Sequence, residues 1–148
     1  MDKGNLYQHC LDFIAQRIQT AETALAQARE ASNDDTKSSA GDKYETSREM
    51  MQQDIDRNKR LLIDAQENMK ILEAIAHVPP SDTARAGSLI YTSQGIFYIS
   101  ISAGQLNTDA GPVFAISAVS PIGKLLLGKK KGDDFSFNGK KYLLNEVL

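Results

Sequence analysis

Small and apolar residues recur at alternating steps of three and four through two long stretches, the seam expected of two helices paired as a coiled coil. The first series runs Leu11, Ile14, Ile18, Ala21, Leu25, Ala28, Ser32. The second runs Tyr44, Arg48, Met51, Ile55, Asn58, Leu62, Ala65, Met69, Leu72, Ala76, with polar interruptions at Arg48 and Asn58. Between them, residues 33–42 hold nothing apolar larger than Ala, and combine the helix breakers Asn33 and Gly41 with N-cap candidates Ser39 and Asp42. The expectation is an antiparallel helical hairpin with an exposed polar loop at its tip. Arms of roughly 28 residues would be on the order of 40 Å long.

The composition changes at Pro79-Pro80. Before it, through His77, ten Lys and Arg face fourteen Asp and Glu, and no Gly occurs between Asn5 and Ala40. From Val78 onward seven cations face five acids, and Ile, Val, Phe, Tyr and Gly dominate. A double proline cannot continue a helix, so the chain divides into a helical part, 1–78, and a β-rich part, 79–148.

Within the second part, residues 120–133 read Ser-Pro-Ile-Gly-Lys-Leu-Leu-Leu-Gly-Lys-Lys-Lys-Gly-Asp. Ser120 is a good N-cap, Pro121 suits the first helical position, and Gly128 suits the left-handed conformation that ends a helix, leaving room for about two turns. Gly132-Asp133 then turns the chain into a strand, and Asn138-Gly139 is a tight hairpin signal leading into the last strand. Runs beginning at Gly87, Gly95 and Pro112 supply further β-rich segments. The fold class expected is α+β: about five strands in an antiparallel sheet, with a short helix on one face, after the helical hairpin.

The ordered set Ser-Pro-Ile-Gly, Leu-Leu-Gly-Lys-Lys and Gly-Asp resembles the signature of the GreA/GreB-type transcript cleavage factors, closely over residues 120–133 and in outline elsewhere. The resemblance implies an FKBP-like C-terminal domain. It also implies a hairpin that enters the secondary channel of bacterial RNA polymerase, where acids at its tip help hold a second Mg²⁺ and its water beside the polymerase's own active site. Two carboxylates close together suit a hard divalent ion that polarises water for attack on a phosphodiester. The family tip reads Gly-Asp-x-x-Glu-Asn-Ala-Glu-Tyr. Aligned on Tyr44 and the following Arg48-Glu49, the tip aspartate is Asp35 and the tip glutamate position holds Ser38. Aligned on Gly41, the pair is Asp42 and Glu45. The same acids also suit simple helix-dipole compensation near the start of the second helix. Ser120 and Pro121 match family positions that dock at the channel rim, where the preceding residue is usually Asn or Asp and here is Val119.

The resemblance thus implies a transcription factor that modulates elongation or rescues backtracked complexes, working on RNA polymerase rather than as an enzyme itself, with Mg²⁺ only as shared with the polymerase. A channel-occupying regulator without cleavage activity is the nearest alternative. A peptidyl-prolyl isomerase and a coiled-coil adaptor, the latter dimeric, are more distant. The protein is expected to be cytoplasmic and monomeric. No long apolar run or secretory pattern is seen, and the lone Cys10 reads as a small buried residue. His9 and His77 have no partner at metal-ligand spacing. Lys124, Lys129, Lys130, Lys131, Lys140 and Lys141 make the terminal part basic, but in the sequence no aromatics interleave with them, so a solvated face or steering toward an acidic surface is expected rather than nucleic-acid binding.

Overall fold

A computed structural model of the chain describes the backbone of residues 3–38 and 42–148, and side chains outside 34–45. Its elements are α1 (Lys3–Ser38), α2 (Asp42–Ala74), β1 (Leu89–Thr92), β2 (Gly95–Ser100), β3 (Gly104–Thr108), β4 (Gly111–Ser117), α3 (Pro121–Leu126), β5 (Asp134–Phe137) and β6 (Lys140–Val147). This is the α+β arrangement expected, a long helical hairpin followed by a sheet and a short helix. Two compact units result: Ile14–Met69, and Met1–Phe13 together with Lys70–Leu148.

In the helical unit the seam is as the sequence reads. Ile14, Ala21, Leu25, Ile55, Asn58 and Ala65 are buried, while Ile18, Ala28, Ser32, Met51, Leu62 and Met69 are half-buried and the residues between are mostly exposed. Asn58 stays in the seam because its Nδ2 donates to the Asp54 carbonyl one turn back at 2.9 Å, which satisfies the amide locally. Arg48, at a seam position, is exposed.

The helices are longer than expected, 36 and 33 residues, or on the order of 50 Å each. Residues 33–38, read from the sequence as loop, continue α1. Asn, Asp, Thr and Ser cost only a few tenths of a kcal/mol each over better helix formers, which a nucleated helix absorbs. At the other end α2 stops at Ala74, and a turn over residues 75–77 precedes the prolines.

The other unit holds one sheet of six strands in the order β3-β4-β2-β1-β6-β5. The expectation of about five antiparallel strands is corrected in two respects. β3 is an additional edge strand, Gly-Gln-Leu-Asn-Thr, whose single large apolar residue, Leu106, is its only buried one. β2 and β4 are parallel, with Phe97 opposite Phe114 and Ile99 opposite Ile116. The reason is topological: the short link from β2 lays β3 down two strand spacings away, and the β3–β4 hairpin then folds β4 back into the gap. β4 must therefore run in the direction of β2.

Each sheet face packs against a helix. On one, α3 places Leu126 over Ile90, Phe97, Ile99 and Leu144, with Ala84 completing the cluster. On the other, the first turns of α1 bring Cys10 Sγ to 3.5 Å from Ser100 Oγ. Burial pushes the Cys10 thiol up, the Ser100 hydrogen bond only partly offsetting it, so the group stays a neutral thiol, the structural role read from the sequence. Among the described residues, no helix is long and apolar enough to cross a membrane.

Candidate functional site

The Ser120 turn is the best-defined piece of the signature. Ser120 has extended backbone, φ −67° and ψ 158°, and caps α3 as expected. Its Oγ accepts the Gly123 N–H at 3.1 Å and donates to the Ser117 carbonyl at 2.6 Å, so one hydroxyl ties the end of β4 to the first turn of the helix. Pro121 follows in the first turn, where its lack of an N–H leaves no bond unmade. The helix closes with the Leu127 N–H on the Gly123 carbonyl at 3.0 Å, and Gly128, at φ +83°, donates to the Ala84 carbonyl at 2.8 Å. That bond and the Ala84 N–H on the Lys129 carbonyl at 2.8 Å fasten the segment after the double proline to the end of α3.

Gly123 carries a constraint that sequence reasoning missed. A Cβ on it would collide with the backbone carbonyl of Ser117 and approach Ser120 Oγ to 2.9 Å. Helix and strand end meet too closely for any side chain. The available signal was a glycine inside a two-turn helix, a place where glycine is otherwise costly.

At the crest of this turn Val119 is 76% exposed, and its N–H is fixed by Ser117 Oγ at 3.1 Å. It stands where the resembling family carries Asn or Asp. Replacing Ser120 with Ala removes both hydroxyl bonds and is expected to cost about 1–2 kcal/mol, read as a lower denaturation midpoint.

The tip acids belong to the other unit. Asp35 falls in the last turn of α1, while Asp42 opens α2 and Glu45 lies in its first turn. Their side chains lie outside the described residues, so the two candidate pairings, Asp35 with position 38 and Asp42 with Glu45, are distinguished only along the backbone. That backbone matters electrically. Asp42 and Glu45 sit at the positive end of a helix dipole, whereas Asp35 sits at the negative end, where a carboxylate is disfavoured by about 0.3–1 kcal/mol.

His9 and His77 are exposed, and the described residues contain no cluster of three or more His, Cys, Asp or Glu suited to a metal. The lysines do not form one uniform face. Lys141 pairs with Asp134 at 3.3 Å, and the turn at Lys130 is closed by its N–H on Asp133 Oδ2 at 2.9 Å. Comparison with protein-family models and with curated proteins finds no match to the chain.

Proposed function

We propose that the protein is a Gre-like bacterial transcription factor that binds RNA polymerase and inserts its hairpin tip into the secondary channel, modulating elongation or rescuing backtracked complexes. The observation that carries this reading is the placement of Asp35 in the last turn of one helix of more than thirty residues and of Asp42 and Glu45 in the first turn of the next. The Ser120–Pro121 turn with Val119 at its crest supports the second half of the reading, docking at the channel rim.

Carboxylates are hard oxygen donors of the kind Mg²⁺ takes, so Asp35, Asp42 and Glu45 fit the donor set for an ion shared with the polymerase. Such an ion supplies positive charge next to the phosphodiester being cleaved. The chain's own contribution is to place negative charge there, while the polymerase is the enzyme. The position that one alignment gives to the family's tip glutamate is occupied by Ser38. That substitution favours, as a second reading, a regulator that occupies the channel without stimulating cleavage. On either reading the protein acts in the cytoplasm as a monomer.

The test is association with purified bacterial core RNA polymerase in gel filtration. Comigration in a one-to-one complex, weakened by Val119→Asp, is expected. Elution wholly apart from the polymerase contradicts the proposal.

A further inference from the structure

Strand pairing brings aromatic and basic side chains onto one face of the sheet. In the β5–β6 hairpin Phe135 is opposite Tyr142 and Phe137 is opposite Lys140. Directly opposed residues point to the same side of a sheet, so these four share one face. The Phe135 and Tyr142 rings stack with centroids 4.9 Å apart and planes 3° from parallel, and Phe137 meets Tyr142 edge-on at 6.5 Å. The row continues through Phe97, 6.1 Å from Tyr142, to Phe114, 5.8 Å from Phe97. Beyond Phe114 its cross-strand partner Gln105 donates to Asn107 at 3.2 Å, adding two side-chain amides to the same face. Phe114, Phe135 and Tyr142 pack against the core cluster under α3, and with Phe137 they are half-buried, so part of each ring remains in contact with solvent.

The charged side chains of the β5–β6 hairpin are divided between its two faces. Alternation along the strands puts Asp134 and Lys141 on the opposite face, where they pair at 3.3 Å, and the register shift between Tyr91 and Thr92 turns Glu146, opposite Tyr91, to that side as well. Lys140 has no carboxylate partner among the described residues. The hairpin fixes it at the end of the aromatic row through the turn at Asn138 and Gly139, with φ values of +52° and +79°.

We infer that this face binds single-stranded nucleic acid, its bases stacking on the Phe137, Tyr142 and Phe135 row and Lys140 meeting a phosphate. Rings with exposed π surface accept any base, and a cation at the end of the row complements the strand's charge. A sheet face presenting two or three stacking aromatics is a known solution to this problem. The sequence shows the hairpin, but Phe97 and Phe114 join its aromatic row only through strand pairing.

The test uses the whole chain without polymerase, so its outcome is independent of the function proposed above. Fluorescence anisotropy is recorded with labelled oligo(U) and oligo(dT) of about 12 nucleotides, in the site-size range of such surfaces. Saturable binding at low salt is expected, with Phe137→Leu, which keeps apolar cover but lacks a π face, weakening it about tenfold. Lys140→Gln should lower the salt slope by about 0.7, one phosphate's share. Thermal unfolding confirms that Phe137→Leu is folded, and the exposed Lys140→Gln carries the test if it is not. Preference for oligo(U) over oligo(dT) assigns the site to RNA, and equal binding assigns it to single strands generally. The inference is overturned by absence of binding to both strands, by wild-type affinity and salt slope in the variants, by equal competition from duplex, or by saturation with a proline-rich peptide alone.

Discussion

Replacing Gly123 with Ala is expected to destabilise the sheet-bearing unit by about 3 kcal/mol, toward the upper end of what overpacking costs. The sign is what makes the experiment informative. Helix propensity alone predicts that Gly→Ala inside a helix stabilises by about 1 kcal/mol. The close approach to the Ser117 carbonyl predicts the reverse, because a backbone oxygen cannot rotate away as a side chain can, and moving it also disturbs both Ser120 hydroxyl bonds. Urea unfolding should show a lower midpoint with an unchanged slope. A midpoint equal to or above wild type would mean that α3 and the end of β4 are not held against each other as described.

The second large effect is functional. Substituting Asp35, Asp42 and Glu45 together with Ala is expected to abolish the protein's effect on backtracked or initiating complexes while polymerase binding persists. Unfolding is not a competing explanation for such a loss. Removing Asp42 and Glu45 from the first turn of α2 costs about 0.3–1 kcal/mol each, and removing Asp35 from the last turn of α1 returns a similar amount. The hairpin's seam, from Ile14 and Ala21 to Ile55 and Ala65, is untouched. Full retention of every transcriptional effect by the triple variant would separate the tip acids from the mechanism. Transcript cleavage in stalled complexes, measured alongside, distinguishes a cleavage factor from a channel occupant.

What was legible in the sequence was local. The heptad seam gave the burial of Ile14, Leu25, Ile55 and Leu72 because a helix repeats its environment every few residues and needs no knowledge of distant chain. The Ser120 cap, Gly128 and the Asn138-Gly139 turn were equally readable, each being a backbone requirement met by a residue type. What escaped was set by long-range pairing. β3 offers one buried apolar residue, Leu106, and is held by β4, so its own sequence carries little strand signal. The parallel β2–β4 pair follows from the order in which strands are laid down, which no local pattern encodes. The continuation of α1 through Ser38 is obscured for a different reason: Asn33, Asp34 and Ser38 are residue types that suit helix ends, yet their actual cost is small beside the cooperativity of a long helix. The site residues divide the same way. Ser120 and Pro121 were placed correctly as a helix start, while the constraint at Gly123 and the shared face of Phe137, Tyr142 and Lys140 needed the assembled sheet.

The central claim is that the junction between α1 and α2 works inside RNA polymerase. The most direct measurement places a photo-reactive benzophenone amino acid at position 40, in place of Ala40, and maps its crosslinks in the complex with a stalled transcription assembly. Crosslinks to polymerase segments lining the secondary channel beside the catalytic Mg²⁺ are the result the proposal predicts. Crosslinks confined to the outer surface of the polymerase, or only to a second copy of the chain, would contradict it.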